Sequence, residues 1–392
     1  MAAPRPIAFY FPWVRELTGA PRSALNLMLN LSPERWRPFL VTDRENALSE
    51  QMAKAGLPVE IVPLPALLGV RNHQGLRLSW RWRARALLAL RRHHRELAAL
   101  LVRRRAALLW SRNAKGVLYA APGARAAGCR YVWDVGLEDP SRGPLYLLHS
   151  WALRQADLIV TQARRQPLEI FGERRRARFA HKFHCLPPGI EARRAEALLR
   201  AARSRPARGE LVALCVGTVH PRKNQRLLLD AALPLLRQHS GFRLRFAGSP
   251  LDEGYARSLV ELARSAGVLN QVEFLGWRDD IPELMAEAQL LVVSSDNEGV
   301  PQVVREAMFS GLAVVSSAVG GIPEVVSDAR TGLLYPRGDG ARLREHLAML
   351  LANPEKVEQL GANARAHARE HFSLERWCRS YDDLLWSLAM AG

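Results

Sequence analysis

Two glutamates eight positions apart, Glu298 and Glu306, stand in the segment SSDNEGVPQVVREAMFSGLAVVSS (294–317). Gly299, Val300 and Pro301 follow the first, and a helical pattern starting near Pro301 carries the second. A glycine before a helix and a proline at its first position suit a loop-to-helix entry. The unbonded N–H groups of such an entry, together with the helix dipole, suit a diphosphate. A carboxylate can accept two hydrogen bonds at once, as vicinal sugar hydroxyls would donate them. Two such acceptors flanking an anion site would suit a nucleotide sugar, one for the hexose and one for the ribose. Taken alone, the spacing equally fits an ordinary acidic surface helix.

A second cluster, CVGTVHPRKNQRLLLDAA (215–232), ends a strand-like run at Gly217 and continues through Thr218 to Arg222, Lys223 and Asn224. These three open a helical pattern. Cations at a helix N-terminus oppose the dipole, so a docked phosphate would compensate, with Arg as a fork and Lys as a point charge. In isolation, a pair of solvated cations explains them as well. FLGWRDDIPELM (274–285) places Gly276 and Trp277 after another strand, where Trp277 could cover a base or be structural. Gly320 and Gly321 follow a further strand and would let backbone approach a ligand closely. Asp279 and Asp280 precede a helix, where N-capping is the simpler role than holding a cation. His181 and His184 lack further ligands for a metal, and Cys129, Cys185, Cys215 and Cys378 form no C-x-x-C pair. No metal or other cofactor is expected, and no disulfide framework.

These residues need a scaffold that holds loops at strand ends. The runs 5–10, 37–42, 58–64, 107–111, 130–135 and 156–162 read as strands, with helical patterns between them (23–31 among them). The runs 211–217, 242–248, 271–276, 289–295 and 312–317 repeat that alternation. Strand–helix alternation calls for a parallel sheet covered on both faces, and ligands of such sheets sit at the carboxyl ends of the strands. The expected fold class is α/β, with two doubly wound Rossmann-like domains facing across a cleft. The segment 191–210, charged and rich in small residues, is the expected boundary. The expected division is 1–195, 196–375, and a closing helix 376–392 packing back on the first domain.

The 392 residues carry 56 Lys plus Arg against 38 Asp plus Glu, a formal charge of +18. Residues 1–200 hold 34 basic and 15 acidic side chains, and the remainder hold 22 and 23, so the whole excess lies in the first half. An anionic partner for that half follows. Leu76, Trp80, Ala84, Leu87, Leu90, His94, Leu97 and Leu101 form a helical stripe, while Arg81, Arg85, Arg92 and Arg95 share another face. A core-facing helix with a solvated basic side accounts for the stripe. With Trp80 and Trp82 beside Arg81 and Arg85, the basic face also suits an anionic membrane surface. No helix-turn-helix, RNP-type or zinc-finger signature accompanies the charge, so nucleic acid is not the expected partner. The opening MAAPRPIAFYFPW meets Arg15 and Glu16 before a leader core could form. The expected place is the cytoplasm, peripheral on the inner face of the cytoplasmic membrane.

In order, G-x-x-x-P-R-K-N (217–224), F-L-G-W-x-x-D-I-P-x-L-M (274–285), E-G-x-P-x-x-x-x-E-A-M-x-x-G (298–311) and G-G-I-P-E-V-V (320–326) resemble the GT-B glycosyltransferases, specifically the retaining family four, glycosyl transferases group 1. CLPPGIE (185–191) and FSLERWCRSYDDLL (372–385) are similar to that family too. The resemblance implies a hexosyl transfer from a nucleotide-sugar donor to a saccharide or lipid-linked acceptor, with retention, in cell-surface polysaccharide or glycolipid synthesis. It implies that Glu298 holds sugar hydroxyls, that Gly299 to Pro301 bring N–H groups to sugar and phosphate, and that Glu306 grips the ribose. Arg222 and Lys223 would stabilise the departing diphosphate, Gly276 and Trp277 would lie near the base, and the loop 15–23 would close through Gly19. Thr218 stands where the family often has Arg, only Gly19 remains of a Gly-Gly pair, and RYVWDVGLEDP (130–140) offers Asp134 or Glu138 where many members have His. An epimerase or a phosphorylase on the same fold stands as the alternative reaction, and a nucleic-acid-binding protein as the alternative class.

Overall fold

Apolar runs without alternation mark strands covered on both faces. Ile7, Ala8, Phe9 and Tyr10 illustrate this, all at most 1% exposed. In the computed structural model, which describes residues 3–14, 17, 20–65, 80–136, 138–203 and 210–391, they form β1 (Arg5–Tyr10). β2 (Trp36–Thr42), β3 (Val59–Ile61), β4 (Leu108–Arg112), β5 (Arg130–Asp134), β6 (Leu158–Thr161) and β7 (Phe183–Cys185) complete a parallel sheet of order β3-β2-β1-β4-β5-β6-β7. A second parallel sheet, of order β10-β9-β8-β11-β12-β13, is built from β8 (Leu211–Val216), β9 (Phe242–Ala247), β10 (Val272–Gly276), β11 (Leu290–Val293), β12 (Ala313–Ser317) and β13 (Gly332–Tyr335). Both orders are the doubly wound pattern that reverses direction beside the first strand. The reversal lies between β1 and β4 in one sheet and between β8 and β11 in the other.

The chain divides into two units: Met1–Pro188 with Trp377–Gly392, and Gly189–Arg376. The expected boundary at 195 is therefore corrected to Pro188. The segment expected as a linker is, over Ala192–Arg203, a helix with Leu198 fully buried. It packs on the helices Ile281–Glu287 and Gln302–Ser310 of the second unit. The apolar core of that unit gathers Leu228, Leu229, Phe242, Phe246, Leu290, Val292, Val315 and Leu347 around its sheet.

In the first unit the helix Trp80–Arg103 covers one face of the sheet through Leu97, Leu100 and Leu101. Its stripe differs from the expected one. Ala84 is exposed and Leu87 is 49% exposed, while Leu76 and the side chains of Trp80 and Trp82 lie outside the described residues. Burial begins past Leu90, where the helix meets Asn113–Ala126 and Gly123 leaves room for the His94 carbonyl and Leu97. His93 is buried with Nε2 at 2.9 Å from the Tyr10 hydroxyl, and His94 Nε2 stands 3.0 Å from the Leu118 carbonyl. Burial lowers the pKa of both.

From Trp377 onward the last helix, Leu374–Met390, is part of the first unit. Trp377, Cys378, Tyr381, Asp382 and Leu385 are buried there. Asp382 accepts from the Ser32 N–H (3.0 Å) and from Arg35 (2.7 Å), and Trp386 meets Trp36 edge-on with ring centroids 5.5 Å apart.

Candidate functional site

In open α/β sheets a ligand sits outside the carboxyl ends of the strands where the order reverses. In the second unit that point is the ends of β8 and β11, and the two loops there are tied to each other. After β8 the chain passes Gly217 (φ +148°) into a short 3₁₀ turn, Pro221–Lys223. The His220 ring accepts from the Arg222 N–H at 3.2 Å. Asn224 then takes a left-handed conformation (φ 49°, ψ 42°) and caps the helix Gln225–Gln238 through its bond from Leu227 N. Arg222 and Lys223 thus precede the helix and do not open it.

The loop after β11 lies against this turn. Asp296 N donates to the Arg222 carbonyl (2.9 Å), the Ser294 hydroxyl to the Lys223 carbonyl (3.0 Å), and Asn224 Nδ2 to Asp296 Oδ1 (3.3 Å). These bonds place Lys223 Nζ in contact with Glu298 Oε1, which also accepts from the Ser295 hydroxyl at 2.7 Å. A charged donor and a carboxylate 75 residues apart are so paired at the point of reversal. Gly217 lies under this pair, since a Cβ there would stand 3.7 Å from Lys223 Cε.

The loop after β12 closes on the same backbone. Gly320 has φ +53°, and a Cβ on it would fall 1.7 Å from the Glu298 carbonyl oxygen, so only glycine fits. Gly321 N donates to the Gly299 carbonyl at 2.8 Å. Val300 is buried, and Pro301 is extended (φ −61°, ψ 130°) as the N-cap of Gln302–Ser310, one position before the helix it was expected to start. Proline offers no capping side chain, so the first N–H groups of this helix keep no side-chain partner at the cap. Glu306 projects from the next turn and is 4% exposed. Its Oε1 accepts from Arg194 Nε (2.9 Å) and Gln302 Nε2 (2.8 Å), and its Oε2 from Arg194 Nη2 (3.1 Å).

Other candidates are placed differently. Arg222 is exposed, and the Thr218 carbonyl accepts from Gln225 Nε2 at 3.0 Å. Gly276 has φ +63° with open space where a Cβ would be, and Trp277 is 71% exposed. Asp280 stands at the N-cap of Ile281–Glu287, but its carboxylate binds Arg278 (Nε to Oδ1 2.7 Å) rather than capping the helix. That pairing, a bidentate contact two residues back along the chain, corrects the expected capping role. Among the described residues no group of three or more His, Cys, Asp or Glu could hold a metal ion.

In the first unit Asp134 ends β5 and is 6% exposed. Its Oδ2 accepts from the Tyr381 hydroxyl at 2.7 Å, and its Oδ1 faces Arg112 Nε at 3.5 Å. Glu138 Oε1 accepts from Ala114 N at 2.6 Å at the start of Asn113–Ala126. Gly19 lies outside the described residues. Arg81 and Arg85 are exposed on the Trp80–Arg103 helix.

Sequence reasoning missed Ser294, Ser295, Asp296 and Arg194. The serines and Asp296 directly follow a strand, which is the signal that could have found them. Arg194 was masked by its place in a segment read as linker.

Residues 200–367 match the family model described as glycosyl transferases group 1. The chain is 32% identical over 61% of its length to the D-inositol 3-phosphate glycosyltransferase of Nocardia farcinica, of which the match covers 54%. It is 34% identical over 41% of its length to the lipopolysaccharide core biosynthesis mannosyltransferase LpcC of Rhizobium leguminosarum, of which 47% is covered. The chain thus spans about half the length of these relatives. Its structure is similar to that of Anabaena Alr3699/HepE in complex with UDP, with a TM-score of 0.75 and 19% identity over 97% of this chain and 99% of that one. At that identity the likeness shows the fold, two Rossmann-like domains of the GT-B class.

Proposed function

We propose, from the match of residues 200–367 to the model described as glycosyl transferases group 1, that this protein is a retaining glycosyltransferase. In this reading it moves a hexosyl group from a nucleoside-diphosphate sugar to a saccharide or lipid-linked acceptor, in the synthesis of a cell-surface polysaccharide or glycolipid. The observation that carries the reading is the Lys223–Glu298 contact at the ends of β8 and β11, beside a helix start that no side chain caps. The names of the Nocardia and Rhizobium relatives support the same reaction class.

The bond that breaks joins the anomeric carbon to a diphosphate oxygen. Positive charge grows on the sugar and negative charge on the leaving group. Lys223, Arg222 and the N–H groups entering Gln302–Ser310 meet the latter, as fixed donors stabilise a developing oxyanion. Glu298 accepts from hexose hydroxyls, Glu306 from the ribose, and Gly276 and Trp277 lie along the base. Lys223 keeps donors to spare in this role, because an ammonium has three and Glu298 takes one.

We further place the enzyme at the inner face of the cytoplasmic membrane. No described helix is long and apolar enough to cross a membrane. Arg81, Arg85 and Arg92 are exposed on the same helix as Leu87 (49% exposed) and Leu88 (63%), a combination suited to an anionic lipid surface.

One assay tests both statements: nucleotide sugars are offered with and without saccharide acceptors, in solution and on vesicles of anionic lipid. Release of nucleoside diphosphate that depends on acceptor is expected. Epimerised donor formed without acceptor, or sugar phosphate formed from inorganic phosphate, would instead mark an epimerase or a phosphorylase. Replacing Arg81 and Arg85 together by Glu should lower vesicle binding at least about 30-fold, at about 1 kcal/mol per basic group lost. Unchanged binding, or equal retention on duplex DNA, would contradict the membrane placement.

A further inference from the structure

At the carboxyl ends of β4 and β5, beside the point where the first sheet reverses, stand two carboxylates in different situations. Asp134 is fully engaged: its Oδ2 accepts from the Tyr381 hydroxyl at 2.7 Å, and its Oδ1, closed off from solvent, faces Arg112 Nε at 3.5 Å. Glu138, in the loop after β5, is not. Its Oε1 accepts from Ala114 N at 2.6 Å, in the first turn of Asn113–Ala126, and its side chain is 12% exposed. A carboxylate offers about four acceptor positions, so Glu138 has room for a ligand. Among the described residues the one ionisable side chain paired with it is His149, whose Nε2 stands 3.5 Å from Oε2.

His149 has no exposure. Its ring lies edge-on to Phe171 (centroids 5.4 Å apart) and beside Trp133 (6.3 Å), with Nδ1 2.5 Å from the Ser141 hydroxyl. Nε2 has no hydrogen-bond partner among the described residues. A buried polar atom without one is destabilising and calls for a reason. With Ser141 donating to Nδ1, the ring proton sits on Nε2, the nitrogen within 3.5 Å of Glu138. Contacts between groups that work together on a substrate are often this long until the substrate binds.

We propose that Glu138 receives a hydroxyl of the acceptor saccharide and that His149, held by Ser141, is its positioning residue. Asp134 is then a structural group that ties the closing helix to β5. This rests on the reading of the protein as a glycosyltransferase. Ligands of a doubly wound sheet sit at its strand ends, and with the donor on the second unit those of the first unit fall to the acceptor. A carboxylate matches the hydrogen of a neutral sugar hydroxyl and binds it more strongly than a neutral oxygen would.

The test uses the full chain, the UDP-, GDP- or ADP-sugar that binds it, and octyl glucosides, galactosides and mannosides as acceptors. Glu138→Gln keeps an oxygen for Ala114 N and loses the charge. It should lower kcat/KM for the acceptor about tenfold to a hundredfold, the loss of a bond to a charged group, with donor affinity by calorimetry unchanged. His149→Phe keeps a ring between Trp133 and Phe171 and should raise the acceptor KM about threefold to tenfold, as for one neutral hydrogen bond, with the donor KM unmoved. His149→Gln restores an N–H and should recover part of that loss. If the Phe variant fails to fold, Glu138→Gln still decides. Full acceptor efficiency in Glu138→Gln, an equal fall in donor affinity, or no difference between the two folded His149 variants would overturn the inference. So would loss of acceptor efficiency in Asp134→Asn at unchanged thermal stability. A wild type that releases no nucleoside diphosphate with any of these acceptors would overturn the proposed function instead.

Discussion

Replacing Lys223 by Ala should cost turnover about 10²–10³-fold, the loss of one fixed donor to a developing anion, about 2.7–4 kcal/mol. The turn that carries Lys223 is held by bonds that alanine keeps. Lys223 N donates to the His220 carbonyl at 2.8 Å, its carbonyl accepts from Ser294, and the Arg222 carbonyl accepts from Asp296 N. The variant should therefore fold with an unchanged circular dichroism spectrum. Glu298 keeps its bond from the Ser295 hydroxyl but loses its cation. In the proposed site one substitution would thus weaken both the sugar contact and the diphosphate contact, and kcat should fall further than donor affinity. Near-normal turnover in Lys223→Ala would remove this residue from the mechanism.

Ending the chain after Arg376 should abolish the first unit as a folded body and leave the second intact. The lost segment buries Trp377, Tyr381 and Leu385 in the first unit. At about 1.5–3 kcal/mol each, these three amount to about 4.5–9 kcal/mol, a large share of a domain's stability of about 5–15 kcal/mol. The loss does not stop at apolar area. Asp134 would lose the Tyr381 hydroxyl, Ser32 N and Arg35 would lose Asp382, and Trp36 would be uncovered. A buried carboxylate without its donor adds a further penalty. Scanning calorimetry should then show one cooperative transition in place of two, and proteolysis should degrade residues of the first unit while sparing 189–376. A truncated chain that keeps both transitions would contradict this.

Much of this architecture was legible because parallel strands buried on both faces are continuous apolar runs. PIAFYF, LVALCVG and LAVVSS need no partner to be recognised. The strands β7 and β13 were not, because FHC and GLLY are three and four residues long and owe their state to pairing with β6 and β12. At the site, residue types were readable and contacts were not. The pairing of Lys223 with Glu298 depends on β8 lying beside β11, which no local pattern states. Asp280 looks like a cap until Arg278, two residues away, takes its carboxylate. Arg194 looks like one more cation in an arginine-rich stretch until its helix is laid on Gln302–Ser310. The apolar stripe expected through Leu87 holds past Leu90, where the helix meets Asn113–Ala126, while Ala84 and Leu87 are exposed.

The central claim is that the second unit holds an activated sugar by its phosphates and its hydroxyls. Isothermal titration of the whole protein with UDP-, GDP- and ADP-sugars tests it most directly. One donor should bind, the matching nucleoside monophosphate should bind more weakly, and Glu306→Ala should reduce affinity for the donor. Absence of heat from every donor, or equal affinity in wild type and Glu306→Ala, would contradict it.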